Sequence, residues 1–147
     1  MTGLRRFTYG DAAEIREKMY PDASIEEVRG MIEAWETEKY RGRYFGMFAI
    51  TADGAVVGCV SVYEQTESEA SIGAEVFPDE RGKGYASEGV RLAVGIARER
   101  GYGTVRNQVR ADNAASIALH EKLGFKTDGK VCKNSRGRDT LTYILSV

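Results

Sequence analysis

The chain has 147 residues, 42% hydrophobic and 29% charged, the balance of one ordinary globular domain (1–147) that can bury about two-thirds of its unfolded surface. Lys plus Arg number 21 against 22 Asp plus Glu, so a net charge of -1 gives no global attraction to nucleic acid or an anionic membrane, and neither is expected as a partner. One histidine and two cysteines, Cys59 and Cys132, make no zinc site and no Cys-x-x-Cys pair, while the lack of a leader-like start or an apolar run of ~20 residues points to the cytoplasm, with both thiols free and no metal.

Leu4 to Thr8 reads as a short strand and Asp11 to Met19 as a charged helix ended near Pro21. Ser24-Ile25-Glu26-Glu27 has the form of a capping box, and Ile25, Val28, Met31, Ile32 and Trp35 share one face of the helix that follows, ending near Lys39. The period then changes. Tyr44 to Thr51 and Val56 to Glu64 are rich in aromatic and β-branched residues, and Asp53-Gly54 between them signals a hairpin. Ala70 to Phe77 alternates as a third antiparallel strand. After Pro78 a glycine turn opens a helix from about Gly84 to Arg100, with Ala86, Val90, Val94 and Ala97 on one stripe and Gly101 at its exit. Thr104 to Arg110 is a strand, Ala114 to Leu123 a helix capped by Asn113, and Phe125 to Cys132 and Arg138 to Leu145 are final strands. The order is that of a mixed α/β (α+β) fold: a largely antiparallel sheet of about six to seven strands flanked by about four helices. The alternating end, Leu141, Tyr143, Leu145 and Val147, fits either an edge within one subunit or a strand pairing across a dimer, leaving monomer and homodimer both open.

Val76 through Ala86 is the most informative stretch, a strand that breaks into Arg81-Gly82-Lys83-Gly84 and at once starts a helix. Helix-start amides lack partners and the helix dipole adds roughly half a positive charge there, so an anion, most often phosphate, is the natural guest. Gly82 and Gly84 would let a pyrophosphate approach, with Arg81 and Lys83 adding charge. The segment is neither a Walker A loop nor a dinucleotide fingerprint, because no glycine lies five residues before Gly82, Gly84 and not Ser or Thr follows Lys83, and Ser87 stands where a third glycine should fall. Taken alone it reads equally as a solvated turn. Further on, Asn113 and His120 lie on one face of the next helix, which leaves through Leu123-Gly124-Phe125; an N-cap and an ordinary helix exit explain that pattern as well.

Together the two segments resemble the GNAT superfamily of acetyl-CoA-dependent N-acetyltransferases. Arg81-Gly82-Lys83-Gly84-Tyr85-Ala86 matches the family's Q/R-x-x-G-x-G/A pyrophosphate loop, and Asn113 to Phe125 matches its second motif, an Asn before a helix ending in Leu-Gly-Phe. The surroundings look most like the branch of ribosomal-protein N-terminal acetyltransferases. Motif-level similarity runs from about Ile72 to Phe125, and the order of elements extends it to nearly the whole chain, with residues 1 to 65 carrying the expected elements but no family-specific motif.

The resemblance implies the GNAT fold, acetyl-CoA as co-substrate and direct acetyl transfer to an amine acceptor, either a peptide N-terminus or a small cationic amine. It implies pantetheine pairing with the backbone of Ala74, Glu75 and Val76, pyrophosphate on the amides of Gly82, Lys83, Gly84, Tyr85, Ala86 and Ser87 beside Arg81, and cofactor contacts from Asn113 with Ser116 as neighbour. His120 stands where many members carry a Tyr that protonates the departing thiolate; as a lone His it is equally a cofactor contact or a packed side chain. Gln108 stands where some relatives have a basic Glu, and Glu75 is the substitute candidate, or else a solvated strand residue. A non-catalytic acyl-CoA-binding module, with Gln108 and His120 as lost catalytic groups, is the alternative. Charge adds a clue: Asp11 to Glu38 holds nine acidic and three basic residues, Arg81 to Arg110 seven basic and two acidic. The first stretch suits a cationic acceptor and the second an anionic cofactor.

Overall fold

Local patterning sets the elements, and the computed structural model describes all residues 1–147. In chain order they are β1 (Thr2–Arg6), α1 (Ala12–Lys18), α2 (Ile25–Glu36), β2 (Lys39–Tyr40), β3 (Arg43–Ala52), β4 (Ala55–Glu64), β5 (Glu69–Val76), α3 (Tyr85–Glu99), β6 (Thr104–Arg110), α4 (Ala114–Lys122), β7 (Cys132–Lys133) and β8 (Asp139–Ser146). Ser24 Oγ accepts from Glu27 N at 3.0 Å and the Glu27 carboxylate from Ser24 N at 3.2 Å, the reciprocal box that starts α2. Asp53 and Gly54 both have positive φ, 50° and 86°, so the β3–β4 hairpin turns in the form whose twist matches its strands.

The eight-stranded sheet runs β1-β3-β4-β5-β6-β8-β7, with β2 on β3. Every pairing is antiparallel except β5 with β6. Ala49 belongs to one apolar cluster and its neighbours Phe48 and Ile50 to another, as alternation across a sheet requires. One face buries Ala49, Val56, Cys59 and Phe77 under α1 and α2; the other buries Ile50, Val60, Val62, Ile72 and Val105 under α3, with Ile117 and Leu119 of α4 at the margin.

One segment departs from its sequence reading. Phe125 to Cys132 is not a continuous strand: Lys126 makes an isolated bridge to Ile144 and only Cys132–Lys133 pairs with β8. Thr127 Oγ1 accepts from Gly129 N at 3.2 Å, Asp128 Oδ1 accepts from Lys130 N at 2.9 Å, and Gly129 has φ 78°. These local side-chain bonds take the amides a ladder would need.

The entry to α1 is held by an ion pair whose carboxylate is buried and whose guanidinium is exposed. Both Asp11 oxygens accept from the Arg5 guanidinium at 2.8 Å and Oδ2 also accepts from Thr8 N at 2.8 Å. The Arg5 bond, outweighing desolvation, holds the Asp11 carboxyl below its ordinary value. A group depressed in the folded state stabilises above its unfolded pKa and loses that contribution as pH falls through the folded value. Between about pH 5 and about pH 2, wild type is therefore expected to lose more thermal stability than Asp11→Asn. Equal losses in paired melting curves would show that the pair contributes nothing.

Candidate active site

The only parallel pairing in the sheet is also its shortest among the longer strands. β5 and β6 share two register pairs, Glu69↔Thr104 and Ala70↔Val105, and then diverge. At the next position Ile72 N donates to the side-chain oxygen of Asn107 at 2.9 Å instead of to a strand carbonyl. Beyond that point the β5 backbone groups facing β6 have no ladder partner.

A cleft of about 630 Å³ fills the opening on the α3/α4 side. Its walls are the backbone of Ile72 to Val76, the glycine loop, the first turn of α3, and the inward side of α4. Gly82 and Gly84 have φ of 80° and 84°, a region that costs other residues about 1–2 kcal/mol. Gly84 is the N-cap of α3 and has no side chain to bond the first-turn amides. In contrast α2 is capped by Ser24 and α4 by Asn113, whose Oδ1 accepts from Ser116 N at 3.1 Å. Among the three longer helices, α3 alone leaves its N–H groups to an outside acceptor, and it does so at the mouth of the cleft.

Ala74, Glu75, Val76, Arg81, Gly82, Gly84, Tyr85, Ala86, Ser87, Asn113, Ser116 and His120 all line this cleft. Lys83 does not; its Nζ turns back to Glu80 at 2.9 Å. Arg81 Nε donates to Val76 O at 3.2 Å and ties the loop to the end of β5. His120 is 7% exposed, with Nδ1 2.7 Å from Ser116 O and Nε2 3.0 Å from Asn107 Nδ2, its ring edge-on to Phe125 at 4.9 Å. Asn107 is the wall residue that sequence reasoning missed. Its signal was present: a polar residue in the buried alternation Val105, Asn107, Val109.

Glu75 is exposed and lies on the opposite face of the sheet from Ile72, in register with Cys59. Burial, then the Glu75 charge, pushes the Cys59 thiol up to about 12, so it stays protonated and cannot serve as an acyl-accepting thiolate. Burial is also the first cause that raises Tyr20, with Cys59 and Glu75 adding to it. A second cleft on the Glu75 face is bounded by Ser61, Gln65, Glu69, Ser71 and Arg106, and shares Ile72, Gly73, Asn107 and Gln108 with the first. The two clefts thus share a wall where β5 and β6 diverge, with the glycine loop on one side and a polar trough on the other.

The family model for the acetyltransferase (GNAT) domain matches residues 3–126. YokL, an uncharacterized prophage-derived N-acetyltransferase of Bacillus subtilis, is 31% identical over 102 residues, covering 67% of this chain and 58% of YokL. An L-methionine sulfoximine/L-methionine sulfone acetyltransferase of Pseudomonas aeruginosa is 30% identical over 104 residues, 67% of this chain and 60% of the relative. The matched stretches are thus about three-fifths of those relatives' length. The structure of RimL, a ribosomal-protein α-N-acetyltransferase in complex with coenzyme A, superposes with a TM-score of 0.83 at 20% identity, covering 99% of this chain and 94% of RimL. At that identity the likeness is one of fold.

Proposed function

Because the chain belongs to the GNAT acetyltransferase family, we propose that it transfers an acetyl group from acetyl-CoA directly to a primary amine. The observation that carries this reading is the coincidence at one opening of an uncapped helix start, a glycine loop and a strand edge without ladder partners. A long anionic thioester fits all three: phosphates on the amides of Gly82 to Ser87, an extended pantetheine along Ala74 to Val76, and a donor from Asn113 Nδ2, since Oδ1 is used within α4.

The amine must arrive neutral to attack the thioester carbonyl. As the C–N bond forms and the C–S bond breaks, negative charge develops on the carbonyl oxygen, and a backbone N–H near Val76 is the donor proposed for it. Glu75, which borders the first cleft, takes or relays the proton the nitrogen loses. The protonated Cys59 favours direct transfer over an acyl-cysteine. Two of the proteins named above, by their names, act on an amino-acid analogue and on a ribosomal-protein α-amine, and for this chain we carry over their shared feature, a primary amine. The specific observations favouring a binding module without turnover are Gln108 in place of a carboxylate and the engaged His120.

Calorimetric titration with acetyl-CoA and with ATP, followed by thiol release across L-methionine sulfoximine, spermidine and a peptide with a free α-amine, tests the reading. Micromolar acetyl-CoA binding with thiol release is the expected result; binding without release from any amine leaves the module, and tighter ATP binding removes both. Glu75→Gln is expected to lower kcat/KM for the amine about a hundredfold while the acetyl-CoA Kd stays put. An unchanged kcat/KM would take Glu75 out of the proton path.

A further inference from the structure

The polar chain Ile72–Asn107–His120–Ser116 crosses three elements, β5, β6 and α4, at the point where the sheet opens. Its hydrogen positions follow from chemistry at the two ends. A backbone N–H only donates, so the Asn107 atom 2.9 Å from Ile72 N is the amide oxygen, and the amide nitrogen faces His120. An NH2 group likewise only donates, so His120 Nε2, 3.0 Å away, accepts. Ser116 O only accepts, so the proton sits on Nδ1, 2.7 Å from it. No other assignment satisfies the chain: turning the amide sets NH2 against the Ile72 N–H, and protonating Nε2 sets two donors face to face. Phe125 and Tyr143 hold the ring from its other sides, with centroids 4.9 Å and 5.5 Å away.

We propose that Asn107 and His120 are a positioning pair that fixes the opening between β5 and β6, with His120 acting as a neutral Nδ1–H imidazole and not as the proton donor to the thiolate. The catalytic half of this inference rests on the acetyl-transfer reading above. The Asn107 side chain takes the first β5 amide beyond the ladder, so the strands stand apart by the length of an amide where a carbonyl would have drawn them together. His120 anchors the other end of that amide to α4, so both walls of the opening and the cofactor-facing helix move as one unit. The proton that the amine nitrogen loses is the one the departing sulfur gains, and it reaches sulfur without passing through His120, whose one N–H is committed to Ser116.

His120 is the only histidine in the chain, so long-range proton–nitrogen correlation spectra of untagged, 15N-labelled protein at neutral pH read this ring alone. The expected pattern is a protonated Nδ1 and an unprotonated Nε2, the minor form in free histidine. A dominant Nε2–H form, or a doubly protonated ring, would overturn the proposal. Asn107→Asp replaces the donor facing Nε2 by an acceptor while keeping an oxygen for Ile72, so the ring should become doubly protonated. An unaltered tautomer there would also count against the pair. Asn107→Leu is expected to lower kcat about tenfold to a hundredfold with the acetyl-CoA Kd changed less than about threefold, and Asn107→Asp to recover part of that loss. If Asn107→Leu does not fold, His120→Phe, which keeps the ring packing, carries the same kinetic expectation. A kcat that stays level or rises when Nε2 is freed in Asn107→Leu would make His120 the acid after all. The spectra need no turnover: a protein that moves no acetyl but shows the expected tautomer loses the acetyltransferase reading and keeps the pair.

Discussion

A Gly82→Glu, Gly84→Glu double variant is expected to lose acetyl-CoA binding, its Kd weakened by about a hundredfold or more, while remaining folded. Both glycines have positive φ and nothing lies within 4 Å of where a Cβ would be placed, so the new side chains meet no neighbour and are pushed into the space an anion would take. Two carboxylates at a helix start that lacks a cap of its own would bond the free amides themselves. Backbone strain adds about 2–4 kcal/mol for the two residues together, which a melting curve reads separately from the titration. Retained micromolar binding in a folded double variant would show that the loop is only a turn, and the acetyl-transfer reading would go with it.

Gly58→Ala is expected to have the second largest effect. Gly58 of β4 pairs with Val76 of β5, and a Cβ there would overlap the carbonyl oxygen of Glu75 and lie 2.8 Å from Val76 Cα. Backbone atoms, unlike a side-chain end, cannot swing aside, so β5 must shift within the segment proposed to hold the pantetheine and the oxyanion. A loss of about 1–3 kcal/mol in stability and about a hundredfold in kcat follows. Thermal denaturation with steady-state turnover checks both; wild-type values in either would mean the strand has slack that the contact distances deny.

The contrast between these two sites shows where sequence is readable. Gly82 and Gly84 sit beside charges at the junction of a strand and a helix, so their role is local and legible, as are the Ser24 box and the Asp53-Gly54 turn, each complete within a few residues. Gly58 lies in an apolar strand, and what makes it necessary is a backbone that arrives from Glu75 and Val76, seventeen and eighteen positions on. The same holds for the opening itself. β5 and β6 are joined through the whole of α3, and no residue of either strand says where a parallel ladder will stop. Asn107 stands out as a polar residue in a buried alternation, but what it does there depends on Ile72 and His120, far apart in the chain, converging on its two ends. At residues 125–132 the difference ran the other way: the stretch reads as a strand, while Thr127 and Asp128 commit their side chains to nearby amides.

The sheet is two antiparallel pieces with separate origins in the chain. β1 to β5 come from residues 2–76 and β6 to β8 from residues 104–146, so every antiparallel pairing lies within one half and only the β5–β6 pairing crosses between them. Two ladder pairs, the Asn107 bridge and the Arg106–Glu69 ion pair join them along the β5–β6 edge, over a core that both halves share. The proposed site therefore lies on the seam between the two halves of the sheet, where few ladder hydrogen bonds link one long strand to the next. A ligand that spans the glycine loop after β5 and the α4 helix after β6 would act as a stitch across that seam, stabilising the joined state by its binding energy.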